Sequence, residues 1–522
     1  MDTPFIVNGK PFFVLGGQVH NSSSYGLPAM QAAWPALAAL KANTAEVPVY
    51  WEQVEPQEGV FSFAHLDDII LEARQRDLHL VLLWFATWKN GNMQYAPGWV
   101  KADPARFPRV VTPAGNSIWV LSSHAATNMA ADRSAFCQLM SHLKDFDGET
   151  GTVIAIQIEN EPGILGSVRD HSPLAEEEFT GMVPPELINA LLETDESPVK
   201  ETWLEQENEE IVTDWAHAFG DKAGEYFSVW SIAHYIDAIA EAGKEIYNLP
   251  MYVNVWLAEN GWRRPGSDYP SGGAVSHLVD LWKWAAPHVD LIAPDIYIAD
   301  SAVYRQVCAA YSRPDNPLFV PESGGFLANA IHLFEAIANH HAIGYAIFGV
   351  ESLLTADGSV KPNARQAVES FHFVEAALPL IERFHKTGNI YAVGQHEFMT
   401  EQLFDFGAYW GMARFQSGDY FNPPDKEERG RGLIFLAGAN EFYLVGAGYS
   451  LMLKEKAGEI EEFSKPHDRF DGHMTHYLSV EEGHFAADGS WVVDRRRNGD
   501  EIGSGLWVTP NTGVVHAVLT NA

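Results

Sequence analysis

From Phe12 to about Ser352, short runs of apolar and β-branched residues alternate with stretches whose apolar residues recur every three or four positions. A strand covered on both faces reads as an unbroken apolar run, and a helix lying on a sheet reads as a stripe. The alternation therefore predicts repeated strand–helix units around a parallel sheet. Eight strands are predicted, at 12–17, 44–50, 78–84, 153–158, 251–256, 291–296, 318–321 and 343–348, the number that closes a TIM (β/α)8 barrel. The helices between them are typified by 64–76, where Leu66, Ile69, Ile70 and Ala73 share one face. Between the fourth and fifth strands lies an acidic stretch, 173–208, interrupted by Pro184, Pro185 and Pro198. It reads as an insertion over the barrel mouth with a solvated charged face. After Gly388 the pattern changes to β-type runs separated by Gly-rich turns, as in GLIFLAGANEFYLVGAG and around Asn498-Gly499. This predicts an α/β catalytic barrel over 1–385 followed by a C-terminal all-β, sandwich-like domain over 386–522.

At 522 residues the chain has material for both units. Its formal net charge of −35, from 34 Lys+Arg against 69 Asp+Glu, disfavours nucleic acid and anionic membranes as partners and suits a neutral ligand. The 16 Trp are consistent with sugar binding, since indole faces accept the apolar C–H faces of pyranose rings. Only Cys137 and Cys308 occur, so neither a disulfide framework nor a clustered metal site is readable, and no cofactor is implied. The opening residues lack the basic and apolar regions of a signal peptide, and no apolar stretch reaches membrane-span length. A soluble protein is expected, with its compartment left open.

Candidate chemistry lies at the ends of two predicted strands. The run VIAIQIENEPG ends in Glu159, Asn160 and Glu161, and NPLFVPESGG ends in Glu322. The C-terminal ends of barrel strands are where TIM-barrel active sites form. Three strand–helix units separate the two carboxylates, which sets them across the mouth, able to flank one bond. Glycoside hydrolysis needs such a pair: an acid that protonates the leaving oxygen and a carboxylate that attacks C1 or activates water.

Several motifs resemble the family 35 β-galactosidases, with a more distant likeness to family 42, both in clan A of the glycoside hydrolases. GGQVHNSS resembles the family's S-G-x-I-H-Y, keeping Gly17 and His20. WEQVEPQEGVFSF resembles W-N-x-H-E-P-x-x-G-x-F-D-F, keeping Trp51, Glu55, Pro56, Gly59 and Phe61. ATWKNGNMQYAPGWV keeps Trp88, Pro97 and Trp99, and Gln157 to Gly163 match Q-V-E-N-E-Y-G. The resemblance covers about the first 330 residues. It implies a retaining enzyme acting on terminal β-D-galactosyl residues, with Glu161 as acid/base, Asn160 on the sugar 2-OH and Glu322 as nucleophile. Thr87 stands where the family carries a galactose-holding Glu, and Glu52 and Val54 replace Asn and His. These departures loosen the specificity assignment but not the reaction class. Glu46 and Glu52 are the nearest carboxylates in sequence to compensate for Thr87.

Tyr297, two residues past Asp295, resembles the clan A tyrosine that hydrogen-bonds the nucleophile. Trp51, Trp88, Asn254, Trp256, Glu46, Glu351 and His20 lie at or near strand ends, and each is a candidate for facing the sugar. The expected partner is a neutral β-linked oligosaccharide or glycoside. The alternatives are another β-glycoside specificity or a non-catalytic carbohydrate-binding protein, which would usually have lost one carboxylate.

Overall fold

A computed structural model describes residues 3–206, 214–259, 263–396, 398–415, 427–456, 475–503 and 505–520. Eight parallel strands form the first unit: β1 (Val14–Gln18), β2 (Thr44–Tyr50), β3 (His79–Lys89), β4 (Val153–Asn160), β5 (Met251–Val255), β6 (Leu291–Pro294), β7 (Phe319–Val320) and β8 (Gly344–Phe348). They pair in the order β6-β5-β4-β3-β2-β1-β8-β7. The remaining seam, between β6 and β7, is closed at two levels. Near the top, the Ile296 N–H donates to the Glu322 carbonyl (2.9 Å). Lower down, the Asn316 side chain accepts from the Ile292 N–H (2.8 Å) and donates to the Ile292 carbonyl (2.9 Å), doing the work of a missing strand residue. The fold is thus a TIM barrel, with the eight predicted strands found at their places.

The strands bury both faces, which is why they read as apolar runs. In β3, Val81, Leu83 and Phe85 fill the barrel interior, while Leu80, Leu82 and Trp84 pack outward in the helix layer. Phe5, from an N-terminal segment, closes the interior from one end by packing edge-on against Phe319 at 5.1 Å. The acidic stretch forms three short helices, Pro173–Phe179, Pro185–Glu193 and Pro198–Glu205, each with proline in its first turn and two with a serine N-cap, Ser172 and Ser197. Leu187, Ile188, Leu191, Val199 and Trp203 bury inward while Glu177, Glu186, Glu193 and Glu201 face solvent. Its last positions, 207 and 208, lie outside the described residues.

After the helix Arg365–Phe384 the chain becomes antiparallel β. One sheet takes the strands β9 (Ile390–Gly394), β12 (Arg431–Gly438), β13 (Glu441–Ala447), β15 (Tyr477–Phe485), β16 (Trp491–Arg497) and β18 (Val514–Leu519), in the order β9-β12-β13-β18-β15-β16. The other takes β10 (Glu401–Asp405), β11 (Tyr409–Phe415), β14 (Tyr449–Glu455) and β17 (Leu506–Val508), in the order β10-β11-β14-β17. Phe442, Leu444, Val515 and Ala517 of the first sheet share a core with Tyr409, Ala413, Leu451 and Leu453 of the second, which makes a sandwich. No helix among the described residues is long and apolar enough to cross a membrane.

Candidate active site

The strand ends bring a set of polar side chains to one rim. Glu322, just past β7, is 5% exposed and receives four hydrogen bonds. Its Oε1 accepts from Gln18 Nε2 (2.9 Å), Asn160 Nδ2 (3.4 Å) and Asn254 Nδ2 (3.5 Å), and its Oε2 accepts from the Tyr297 hydroxyl (2.9 Å). Donors from four different elements therefore fix this carboxyl, leaving it little rotational freedom.

Glu161 leaves the end of β4 on a backbone that departs from the strand. Both Glu159 (φ 61°) and Glu161 (φ 45°) occupy the left-handed region, which is costly for residues with a Cβ and tends to persist where surrounding contacts enforce it. The contacts are present. The Glu161 N–H donates to Asn254 Oδ1 (2.7 Å), and Asn90 Nδ2 donates to Glu161 Oε2. Burial, and after it the Glu322 charge, push the Glu161 carboxyl up to about 7, while Lys89, Asp295 and Asn90 hold it from rising further.

Glu159 turns away from the rim. Its carboxyl accepts from the backbone N–H groups of Thr87 (3.2 Å) and Trp88 (2.7 Å) and meets Asp132, which also receives Trp84 Nε1 (2.9 Å) and the Thr87 hydroxyl (2.6 Å). Burial and then the Asp132 charge raise Glu159 well above the usual carboxylate range. Such a pair is stable with one proton between its members.

Glu161 and Glu322 line one cavity of about 350 Å³ together with Lys89, Asn90, Asp295, Tyr297, Trp256 and Phe348. This is within the size range of small-molecule sites. Of the residues singled out from the sequence, Glu161, Glu322, Tyr297 and Trp256 line this cavity, Asn160 donates to the Glu322 carboxyl, and Asn254 accepts from the Glu161 N–H and donates to the Asp295 and Glu322 carboxyls. His20 and Glu351 pair at the rim: the His20 N–H donates to the Glu351 carboxylate (3.2 Å), and the His20 ring packs edge-on to Phe348 at 5.4 Å.

Three candidates are elsewhere. Trp51 is fully buried, its indole N–H on Glu55 Oε2 (2.9 Å) and its ring edge-on to Trp99. Trp88 is fully buried against Tyr235. Both belong to the outer hydrophobic core, because the indoles cover the barrel wall rather than its mouth. Glu46 is sealed inside the barrel, where burial and then the Glu322 charge raise its carboxyl well above the usual range. The supposed replacement for a sugar-holding Glu also fails on geometry. Thr87 points to Asp132 and Tyr235, and Glu52 is occupied by the Tyr25 hydroxyl (2.6 Å) and Lys101 (3.2 Å). No described residue of the acidic stretch lines the cavity.

The sequence reading missed Gln18, Lys89, Asn90 and the site role of Asp295. Lys89 donates to Asn160 Oδ1 (2.7 Å), and Asn90-Gly91 make a two-residue turn, both with positive φ (52° and 67°), between Lys89 and Asn92. That Asn-Gly pair is a recognisable turn signal, and here it aims the Asn90 amide at Glu161.

The family model described as Beta-galactosidase, glycoside hydrolase family 42, matches residues 35–306, and a domain of unknown function, DUF5597, matches 367–509. A β-galactosidase of Xanthomonas manihotis is 29% identical over 189 residues, covering 33% of this chain and 27% of that protein. Among solved structures, a catalytic mutant of Gan42B, a family 42 β-galactosidase from G. stearothermophilus, has a TM-score of 0.49 at 16% identity over 71% of this chain and 57% of its own. The β-galactosidase of Bacillus circulans sp. alkalophilus has a TM-score of 0.49 at 15% identity over 72% and 57%. The chain thus spans about a quarter of the curated relative and somewhat over half of these structures. The nearer resemblance read from short motifs, to family 35, is not the one the family model supports. Matched over more than half its length by that model, the chain belongs to glycoside hydrolase family 42, the β-galactosidase family.

Proposed function

We propose that this protein is a retaining glycoside hydrolase that removes terminal β-D-galactosyl residues from neutral oligosaccharides or glycosides, with Glu161 as acid/base and Glu322 as nucleophile. The observation that carries the reading is the asymmetry of the two carboxyls in one cavity. Glu161 is held at about 7 by burial and by Glu322, which makes it an acid near neutral pH. Glu322 is surrounded by donors that aim it at a fixed point. In the first step the Glu161 proton passes to the glycosidic oxygen, the C1–O bond breaks and a Glu322 oxygen bonds to C1. In the second, Glu161 takes a proton from water, whose oxygen attacks C1 and releases Glu322 as carboxylate. Asn160 is assigned to the sugar hydroxyl next to C1, a role supported by its bonds to Glu322 and Lys89 beside the reacting carbon. Family membership supports the galactoside as substrate.

The test is a panel of nitrophenyl β-galactoside, β-glucoside, β-mannoside, β-xyloside and α-arabinoside. The galactoside should have the highest kcat/KM, and another glycoside exceeding it tenfold, about 1.4 kcal/mol of transition-state preference, overturns the substrate assignment. Glu322→Ala should lose turnover of every substrate and regain it with azide as a glycosyl azide of inverted configuration. Glu161→Ala should lose about 10²- to 10⁴-fold on poor leaving groups and far less on dinitrophenyl glycosides. Azide rescue confined to Glu161→Ala, or a Glu322→Ala protein as active as the parent, defeats the assignment of roles.

A further inference from the structure

Asp295 is a third carboxyl in the cavity and has no part in the double displacement described above. It follows β6 and is 4% exposed. Its Oδ2 accepts from Asn254 Nδ2 (2.8 Å), the same amide whose Oδ1 receives the Glu161 N–H, so Asn254 clamps the two acidic residues side by side. Its Oδ1 is buried and, among the described residues, receives no hydrogen bond from an N–H or a hydroxyl; the Glu161 carboxyl is the acidic side chain that pairs with Asp295. Two acceptor oxygens buried against each other are stable only with a proton between them.

We propose that Asp295 is a positioning residue for the acid/base: it stands as a neutral carboxylic acid whose O–H donates to the Glu161 carboxyl. The proposal rests on Glu161 being the acid/base. The surroundings assign the proton to Asp295. Asp295 is faced by Glu161 from β4, Glu322 from beyond β7, Tyr252 from β5 and Tyr311 from the helix Ser301–Tyr311, and it shares its own strand end with Tyr297. Lys89, from β3, is the cation opposite it, and Lys89 donates to Asn160. Negative charge on either residue would face Glu322, and once Glu161 is a carboxylate a charged Asp295 would set two anions against each other with no donor for its Oδ1, so the proton that remains in the pair stands on Asp295. When Glu161 gives its proton to the glycosidic oxygen, Asp295 keeps its own proton, and its hydrogen bond to the new carboxylate strengthens. When water later returns a proton to Glu161, the neutral pair is restored.

Two measurements decide it. With aspartate labelled at the carboxyl carbon with ¹³C, one signal absent from Asp295→Asn should stay at its protonated shift up to pH 8. If that signal titrates with the surface aspartates, the proposal is overturned. In kcat/KM profiles on the galactoside, Asp295→Asn, whose amide still donates, should keep the basic limb within a few tenths of a pH unit. Asp295→Leu, which cannot donate, should move the limb up by about one unit. A basic limb that falls in Asp295→Asn shows that a negative charge was removed and overturns the proposal, as does an Asp295→Leu profile identical to that of the parent. If the parent turns over no glycoside, the proposed function fails, and the carboxyl titration, which needs no turnover, decides Asp295 alone.

Discussion

At the scale of single residues, burial sets the working charge of the carboxyls. Because Glu161, the proposed acid, is raised to about 7, kcat/KM should be retained below that value and fall as pH rises through it. A basic limb near pH 9 would exclude Glu161 as the titrating acid. The Glu159–Asp132 pair gives a stability prediction of the same kind. Both carboxyls are raised in the fold, Glu159 and Asp132 chiefly by burial. Their protonation therefore favours the native state below the unfolded carboxylate values, about 4, and that advantage is lost as pH rises through the folded values. Glu159→Gln keeps one oxygen, which can still accept from the Trp88 N–H, and removes one titration, so its stability relative to the parent should improve from pH 5 to pH 8 in urea melts. A constant difference would rule out the shared proton. Glu159→Ala, which strands both N–H groups, should cost about 3 kcal/mol.

At the scale of elements, the weak place in the barrel is the seam between β6 and β7. β7 is two residues long and delivers Glu322, yet it is joined to β6 by the Ile296–Glu322 backbone bond and the Asn316 side chain rather than by a continuous ladder. Asn316 also donates to the Tyr311 carbonyl (2.8 Å). Asn316→Ala leaves buried backbone groups at Ile292 unpaired and should cost about 2 to 3 kcal/mol. Because β7 positions the proposed nucleophile, kcat should fall more than KM rises. Full activity and an unchanged urea midpoint would show that the seam does not depend on the asparagine.

At the scale of the whole molecule, the sandwich shares an apolar cluster with the barrel, and a buried guanidinium adds polar ties between them. Arg431, on β12, is fully buried; it donates to Glu369 Oε2 (2.6 Å), Ser370 Oγ (3.0 Å) and Gln366 Oε1 (3.1 Å) on the helix Arg365–Phe384, and also to Glu428. Removing it leaves Glu369 and Glu428, among the described residues, sharing Arg365 alone (3.0 Å to each) and should cost about 1.5 to 3 kcal/mol, the range for hydrogen bonds to charged groups. Arg431→Ala should therefore lower the midpoint of the calorimetric transition or split it into two, one per unit. A single transition at the parent's temperature would show that the units do not depend on this contact.

Periodicity alone placed all eight barrel strands, because a strand buried on both faces must be apolar throughout, and it placed the hairpin β12–β13 by its Gly-flanked runs. It also brought Glu161 and Glu322 to one rim, since polar residues ending apolar strands have only the barrel mouth to occupy. Which side of the wall a residue faces was not legible wherever the backbone leaves the strand's alternation. Glu159 and Glu161 sit in left-handed conformations that no period of two describes, and β3 continues five residues past its predicted end, carrying Thr87 and Trp88 into the wall and Lys89 and Asn90 to the site. Trp51 and Glu46 were misplaced for a related reason: a strand end supplies both buried and open positions, and only packing against neighbouring helices and strands decides between them. The grouping of the Glu161, Asp295 and Glu322 carboxyls belongs to the tertiary structure entirely, because it depends on side chains brought together from β4, β6 and β7, with Lys89 from β3, and removed together from water.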